Sequence, residues 1–106
     1  MGFTLQTLNA FEMTRRTAAC EIAATRLDHR AFVAVYPPLP DKDVHKWRIR
    51  KFEIPRHILE EYFGEGDLVD SQLLRVDTLE EVEEVLSAWN IDPAMLDAPW
   101  KCAYPL

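Results

Sequence analysis

The chain has 106 residues, of which 48% are hydrophobic, and its formal net charge is −6. A chain of this length is expected to form one domain, residues 1–106, with enough apolar side chains for a core. The negative charge argues against nucleic acid and anionic membranes as partners, and no run reaches the roughly 18 apolar residues that a membrane span needs.

The first third of the chain is predicted to contain a helix and one or two strands. Residues 4–26 place apolar side chains at three- and four-residue spacings, which indicates a helix. The segment 17–25 also alternates apolar and polar residues, so a strand there is an open alternative. The segment AFVAVY, residues 31–36, is predicted to be a buried strand that ends at Pro37.

The segment KWRIRKFEI (residues 46–54) is the clearest predicted strand. Trp47 and Ile49 share one face, whereas Phe52 and Ile54 fall on the opposite face. An extra residue is needed for one apolar face to continue, so we expect a β-bulge near Arg50. An aromatic side chain among cations also occurs where nucleic acid binds, but a half-buried strand with a basic polar face fits an acidic protein better.

The second half is predicted to alternate helices and strands. Residues 56–64 form a short helix that Gly64 ends, and residues 71–77 form a strand. Thr78 is predicted to cap the next helix, with Glu81 completing a capping box. The apolar stripe of this helix consists of Leu79, Val82, Val85, Leu86 and Trp89.

The last residues, WKCAYPL, are predicted to close the sheet as a final strand. Trp89 is expected in the core, and Trp100 at least partly buried. The elements together predict a small α+β fold, in which two or three helices pack on one face of a mostly antiparallel sheet.

No residue pattern points to catalysis, and no catalytic, cofactor-binding or metal-binding residue is predicted. The three histidines lack the spacing of a metal site, and the chain has no glycine-rich phosphate loop. Cys20 and Cys102 are expected to be reduced thiols, although one disulfide is an alternative. A small hydrolase-like enzyme that uses Cys20 or a carboxylate is the alternative from another functional class.

Acidic residues dominate the second half of the chain. Residues 1–56 contain ten Lys/Arg and six Asp/Glu, for a net charge of +4, whereas residues 57–106 contain two Lys/Arg and twelve Asp/Glu, for −10. This division favours a surface that binds a basic protein. The predicted partner-binding residues are Glu60, Glu61, Asp67, Asp70, Asp77, Glu80, Glu81, Glu83 and Glu84.

A small acidic domain without a catalytic motif, with VDTLEEVEEVLSAWNID and a closing YPL, resembles bacterial toxin-immunity proteins of the contact-dependent inhibition type. The resemblance lies in the whole profile and covers residues 50–106 better than 1–49. It implies that the chain neutralises a cognate toxin domain, often a basic nuclease. Separately, the chain is expected to be cytoplasmic and a monomer or weak dimer. A regulatory module that docks a different basic protein is a further alternative.

Overall fold

Four strands form one antiparallel sheet in the order β1-β2-β3-β4 in the computed structural model, which describes residues 2–61 and 63–106. Each strand pairs with its neighbour in the chain, as in a meander. The strands are β1 (Ala18–Ile22), β2 (His29–Tyr36), β3 (Trp47–Pro55) and β4 (Val69–Val76).

Three helices accompany the sheet, which confirms the predicted α+β class. They are α1 (Leu5–Asn9), α2 (Arg56–Leu59) and α3 (Leu79–Ala88). A π-helical turn, Ala10–Thr14, continues α1, and short 3₁₀ turns lie at Pro40–Lys42, Glu65–Asp67, Pro93–Met95 and Pro99–Lys101.

The uncertain segment 4–26 divides into helix and strand. The helical part ends at Arg15, whose φ of 55° is left-handed and cannot continue a right-handed helix. β1 follows at Ala18–Ile22, so the alternating pattern, and not the helical one, predicts the second part correctly.

One face of the sheet, called face A here, carries the larger core. Val33 and Val35 of β2 and Ile49 of β3 pack there against α3, whose Val82 and Leu86 are completely buried. The other members of this core come from the N-terminal helical segment, β1 and residues 91–96. The helical stripe predicted from the sequence therefore faces the core, with Leu79 and Val85 partly buried at its margin. Trp89 was predicted to be a core residue, but it follows the last residue of α3 and is only partly buried against the core.

The opposite face, face B, carries a second core, which the sequence did not predict. Phe32, Phe52 and Ile54 are almost fully buried there. α2 and the C-terminal segment cover them through Ile58, Leu59 and Tyr104, among others. Helical residues thus lie on both sides of the sheet, with the longer helices on face A.

This second core explains the change of apolar parity along β3. β2 and β3 pair without interruption from His29–Pro55 to Tyr36–Arg48, so β3 has no extra residue. The register shifts instead between β3 and β4, between Lys51 and Glu53. The extra residue belongs to β4, where Asp70 has a φ of 51°. The prediction of a bulge within β3 near Arg50 is therefore wrong, because the bulge lies in the neighbouring strand β4 and the change of parity in β3 serves two cores.

The C-terminal segment differs from its prediction. Residues 99–101 form a 3₁₀ turn and no strand follows among the described residues. Before this turn, Asp97 makes an isolated bridge to Ala19 of β1. Trp100 is 69% exposed, so the expectation of at least partial burial is wrong. α2 is shorter than the predicted helix 56–64, within which Tyr62 lies outside the described residues.

The two edges of the sheet differ in their exposure. β1 is partly covered, because the backbone N–H of Ala19 donates to the carbonyl of Asp97 at 2.8 Å and the reverse bond measures 3.0 Å. β4 lies at the other edge, and six successive residues, 70–75, are exposed there. Leu73 and Leu74 are 40% and 39% exposed.

Candidate functional site

The outer side of α3 carries the clearest group of exposed acids. The helix begins at Thr78, whose hydroxyl accepts a hydrogen bond from the Glu81 N–H and donates one to the Glu81 carboxylate, each at 3.2 Å. Thr78 is therefore the predicted cap. The predicted capping box is not completed, because the Glu81 carboxylate accepts from the Thr78 hydroxyl and not from the Thr78 backbone N–H. With Val82 and Leu86 facing the core, Glu80 and Glu84 point to solvent.

Besides Glu81, three of the nine predicted partner-binding acids have partners within the chain. Asp77 pairs with Lys46 at 3.0 Å, and Asp70 pairs with Arg26 at 2.8 Å. Asp67 accepts a hydrogen bond from the Gly64 N–H at 2.9 Å. These contacts make the three carboxylates less available to another protein.

Glu80 and Glu84 differ from those three acids. Neither forms an ion pair within residues 2–61 and 63–106. Glu83 lies beside Gly2, and Glu81 is engaged at the cap. Two like charges at positions i and i+4 repel each other, and a cation from a partner would relieve this repulsion.

The nine predicted residues do not form one surface. Asp77 and the glutamates of α3 lie on the side of face A, where α3 packs. Glu60, Glu61 and Asp67 follow α2, which packs on face B. A partner of ordinary size would contact one group, and α3 with Asp77 is the larger of the two.

A cleft of 330 Å³ separates the N-terminal helical segment from the C-terminal segment. Arg16, Thr14 and Asp97 contribute polar groups to its lining, and the exposed Trp100 forms part of its wall. The sequence gives no signal for this cleft, because its two walls are about eighty residues apart in the chain.

Glu53 is a buried carboxylate, and its side chain is 9% exposed. It accepts hydrogen bonds from the Thr25 hydroxyl at 2.6 Å, the Thr25 N–H at 3.0 Å and the Arg26 N–H at 3.3 Å. Burial raises the pKa of this carboxyl, but the hydrogen bonds from Thr25 and Arg26 and the charge of Arg26 outweigh burial and leave the pKa below its ordinary value. All of these donors belong to the β1–β2 loop, which Glu53 of β3 therefore holds in place. We assign Glu53 a structural role.

Cys20 is a poor candidate for a nucleophile. Its side chain lies in the core of face A and is 6% exposed. Burial, with a smaller effect of Cys102, raises the pKa of the Cys20 thiol to about 12. The thiol is therefore protonated at neutral pH, whereas nucleophilic cysteines need a lowered pKa. Both cysteines are unpaired.

Face B carries a row of arginines beyond its core. Arg48 of β3 lies directly opposite Arg75 of β4, and Arg50 lies two residues along β3 on the same face. Arg50 pairs with Glu65 at 2.5 Å. The guanidinium of Arg48 lies over the ring of Tyr36 at 5.1 Å. We call Arg48, Arg50 and Arg75 the arginine row.

No family model, no curated protein and no solved structure matches this chain. A function must therefore be inferred from the geometry of its own residues. No three His, Cys, Asp or Glu side chains are grouped to hold a metal ion in the described part of the chain. Nor does any helix within residues 2–61 and 63–106 have the length and apolar character to cross a bilayer.

Proposed function

We propose that this chain is a protein-binding inhibitor of the toxin-immunity kind and that it binds a basic toxin domain through α3. The observation that carries the proposal is the pair Glu80 and Glu84, two exposed carboxylates without an ion pair among the described residues. They lie one turn apart on a helix that Val82 and Leu86 anchor in the core.

A rigid acidic helix suits the binding of a basic surface. The helix backbone that carries both glutamates is anchored in the core before the partner arrives, so little backbone freedom is lost on binding. Their field attracts a basic domain over a distance of about a Debye length, ~8 Å at physiological salt, and increases the association rate. A nuclease toxin needs a basic groove for its substrate, and an acidic helix placed there would exclude nucleic acid.

The test reverses the charges of α3. The candidate partner is a basic domain encoded by a neighbouring gene. The rate at which this domain associates with the chain is measured at low and high salt. We expect the double variant Glu80→Lys/Glu84→Lys to associate about tenfold more slowly at low salt and with a weaker salt dependence. Its melting temperature should stay close to that of the parent, because both side chains are exposed.

The matched control is Glu60→Lys/Glu61→Lys, which changes the net charge equally but on the side of face B. This control should leave the association rate nearly unchanged. An equal loss of rate in both variants would mean that net charge, and not α3, determines the association. Full binding by the α3 variant would contradict the proposal.

Cell growth distinguishes an immunity protein from a regulatory module. Cells that express the toxin domain should grow when they also express the parent chain and should grow poorly with the α3 variant. A partner that binds through α3 but is harmless to cells would support the regulatory module. Such a result would support binding through α3 and would contradict the immunity function.

A further inference from the structure

The arginine row contradicts a common feature of antiparallel sheets. Side chains directly opposite each other usually attract, and like charges there are destabilising. Arg48 and Arg75 nevertheless occupy one such pair of positions. The contrast is sharper because the chain as a whole has a net charge of −6.

Two donors within the row also have no acceptor. The Nε atoms of Arg48 and Arg50 are buried and make no hydrogen bond among the described residues. Buried donors are almost always paired, by protein, water or a ligand. The Arg50 side chain is only 18% exposed, so its guanidinium is held in place by the surrounding residues.

We infer that the arginine row is a binding site for the phosphate group of a phosphate monoester, held by the guanidinium groups of Arg48, Arg50 and Arg75. Guanidinium groups bind phosphate oxygens through paired hydrogen bonds, and phosphate accepts several at once. Such a ligand would neutralise the opposed charges and supply acceptors to the row. This site is independent of the acidic surface of α3.

The count of charges favours a dianion. Glu65 already pairs with Arg50, whereas Arg48 and Arg75 have no carboxylate partner in the described residues. A phosphate monoester carries a charge of about −1.5 to −2 at neutral pH, which matches two guanidinium groups. A carboxylate or the phosphodiester of a nucleic acid brings only one negative charge per group.

An aromatic and an apolar side chain flank the row. Tyr36 of β2 lies next to Arg48, on the side away from β4. The Tyr36 hydroxyl and the Tyr104 hydroxyl are 2.5 Å apart. Leu73, next to Arg50 on β4, is 40% exposed. An apolar group attached to the phosphate could therefore contact Tyr36 or Leu73 without displacing the helices.

The test is an NMR titration of the full chain at constant ionic strength, with inorganic phosphate, phenyl phosphate, acetate and a short single-stranded oligonucleotide. We expect saturable shifts of the backbone amides around the row, with a Kd of about 1 mM or tighter for inorganic phosphate. Phenyl phosphate should bind more tightly if the flanking side chains contact the organic group.

Two substitutions test the row and one serves as control. Arg75→Gln changes an exposed residue and should fold normally, and Arg48→Gln removes a buried Nε donor. Each should weaken phosphate binding by about tenfold or more. Arg16→Gln removes an equal charge from an exposed position outside the sheet and should leave the affinity unchanged.

Each other outcome would overturn the inference. Shifts that do not saturate by about 20 mM phosphate would mean that there is no site. Equal binding of acetate would mean a carboxylate site, and binding of the oligonucleotide alone would mean a nucleic-acid surface. Equal weakening by Arg16→Gln would mean that only the net charge matters.

Discussion

Single side chains in this protein connect segments that are distant in the chain, and Glu53 is the clearest example. Its carboxylate holds Thr25 and Arg26, and Arg26 also reaches Asp70 in the β4 bulge at 2.8 Å. The left-handed backbone of Asp70 is thus fastened to the β1–β2 loop. Loss of the charge at Glu53 would loosen a loop, two strands and the bulge.

Glu53→Gln should lower the free energy of unfolding by about 1–3 kcal/mol, because one acceptor of the buried carboxylate becomes a donor. The folded pKa of Glu53 is lowered from its ordinary value, so its stabilisation is complete above the unfolded pKa and is lost as the pH falls through the folded pKa. Denaturant titrations over the acid range should therefore show a flatter pH dependence for Glu53→Gln. The exposed control Glu61→Gln should match the parent, and a normal acid dependence in Glu53→Gln would contradict the assigned role.

Local residue chemistry predicted some positions well. Thr78 caps α3 as expected, because a cap depends on residues within one turn. Trp100 was expected to be partly buried but is 69% exposed, because the burial of a side chain depends on segments far away in the chain. The arginine row was visible only as a basic strand, since the sequence does not show that Arg75 lies opposite Arg48.

At the scale of elements, α3 shows the value of an apolar stripe. Its periodicity predicted both its position and its buried face. β3 shows the limit of the same approach. Its apolar residues change from one face to the other, and this change suggested a β-bulge within the strand. These residues instead serve two cores, and no pattern within β3 reveals that α2 and Tyr104 cover face B.

Two leucines of α3 allow a matched test of its packing. Leu86 is completely buried, whereas Leu79 is only partly buried. Leu86→Ala should cost about 2–5 kcal/mol of unfolding free energy, and Leu79→Ala clearly less, because the cost grows with the cavity left behind. Denaturant unfolding of both variants checks this, and equal costs would mean that the helix is rotated relative to the sheet.

At the scale of the molecule, β2 and β3 are shared by the two cores. Val33 contributes to face A and its neighbour Phe32 to face B. Loss of one core should therefore disturb the strands on which the other depends. We expect a single cooperative unfolding transition for the whole chain.

Phe32→Ala should cost about 3–5 kcal/mol, and its transition should be the same by near-UV and far-UV circular dichroism. The same coincidence is expected for Leu86→Ala, on the other face. Two separated transitions in either variant would show that the cores unfold independently. The chain would then consist of two cooperative units on one sheet.

The unequal edges of the sheet limit how the chain can assemble. A strand can be added along β4, where residues 70–75 are exposed, but Asp97 obstructs the β1 edge. Two copies joined at β4 by a twofold axis would use the open edge of each, and neither could accept a third copy there. Strand addition at β4 would thus end at a pair, and growth beyond the pair would need the β1 edge, which Asp97 partly covers at Ala19.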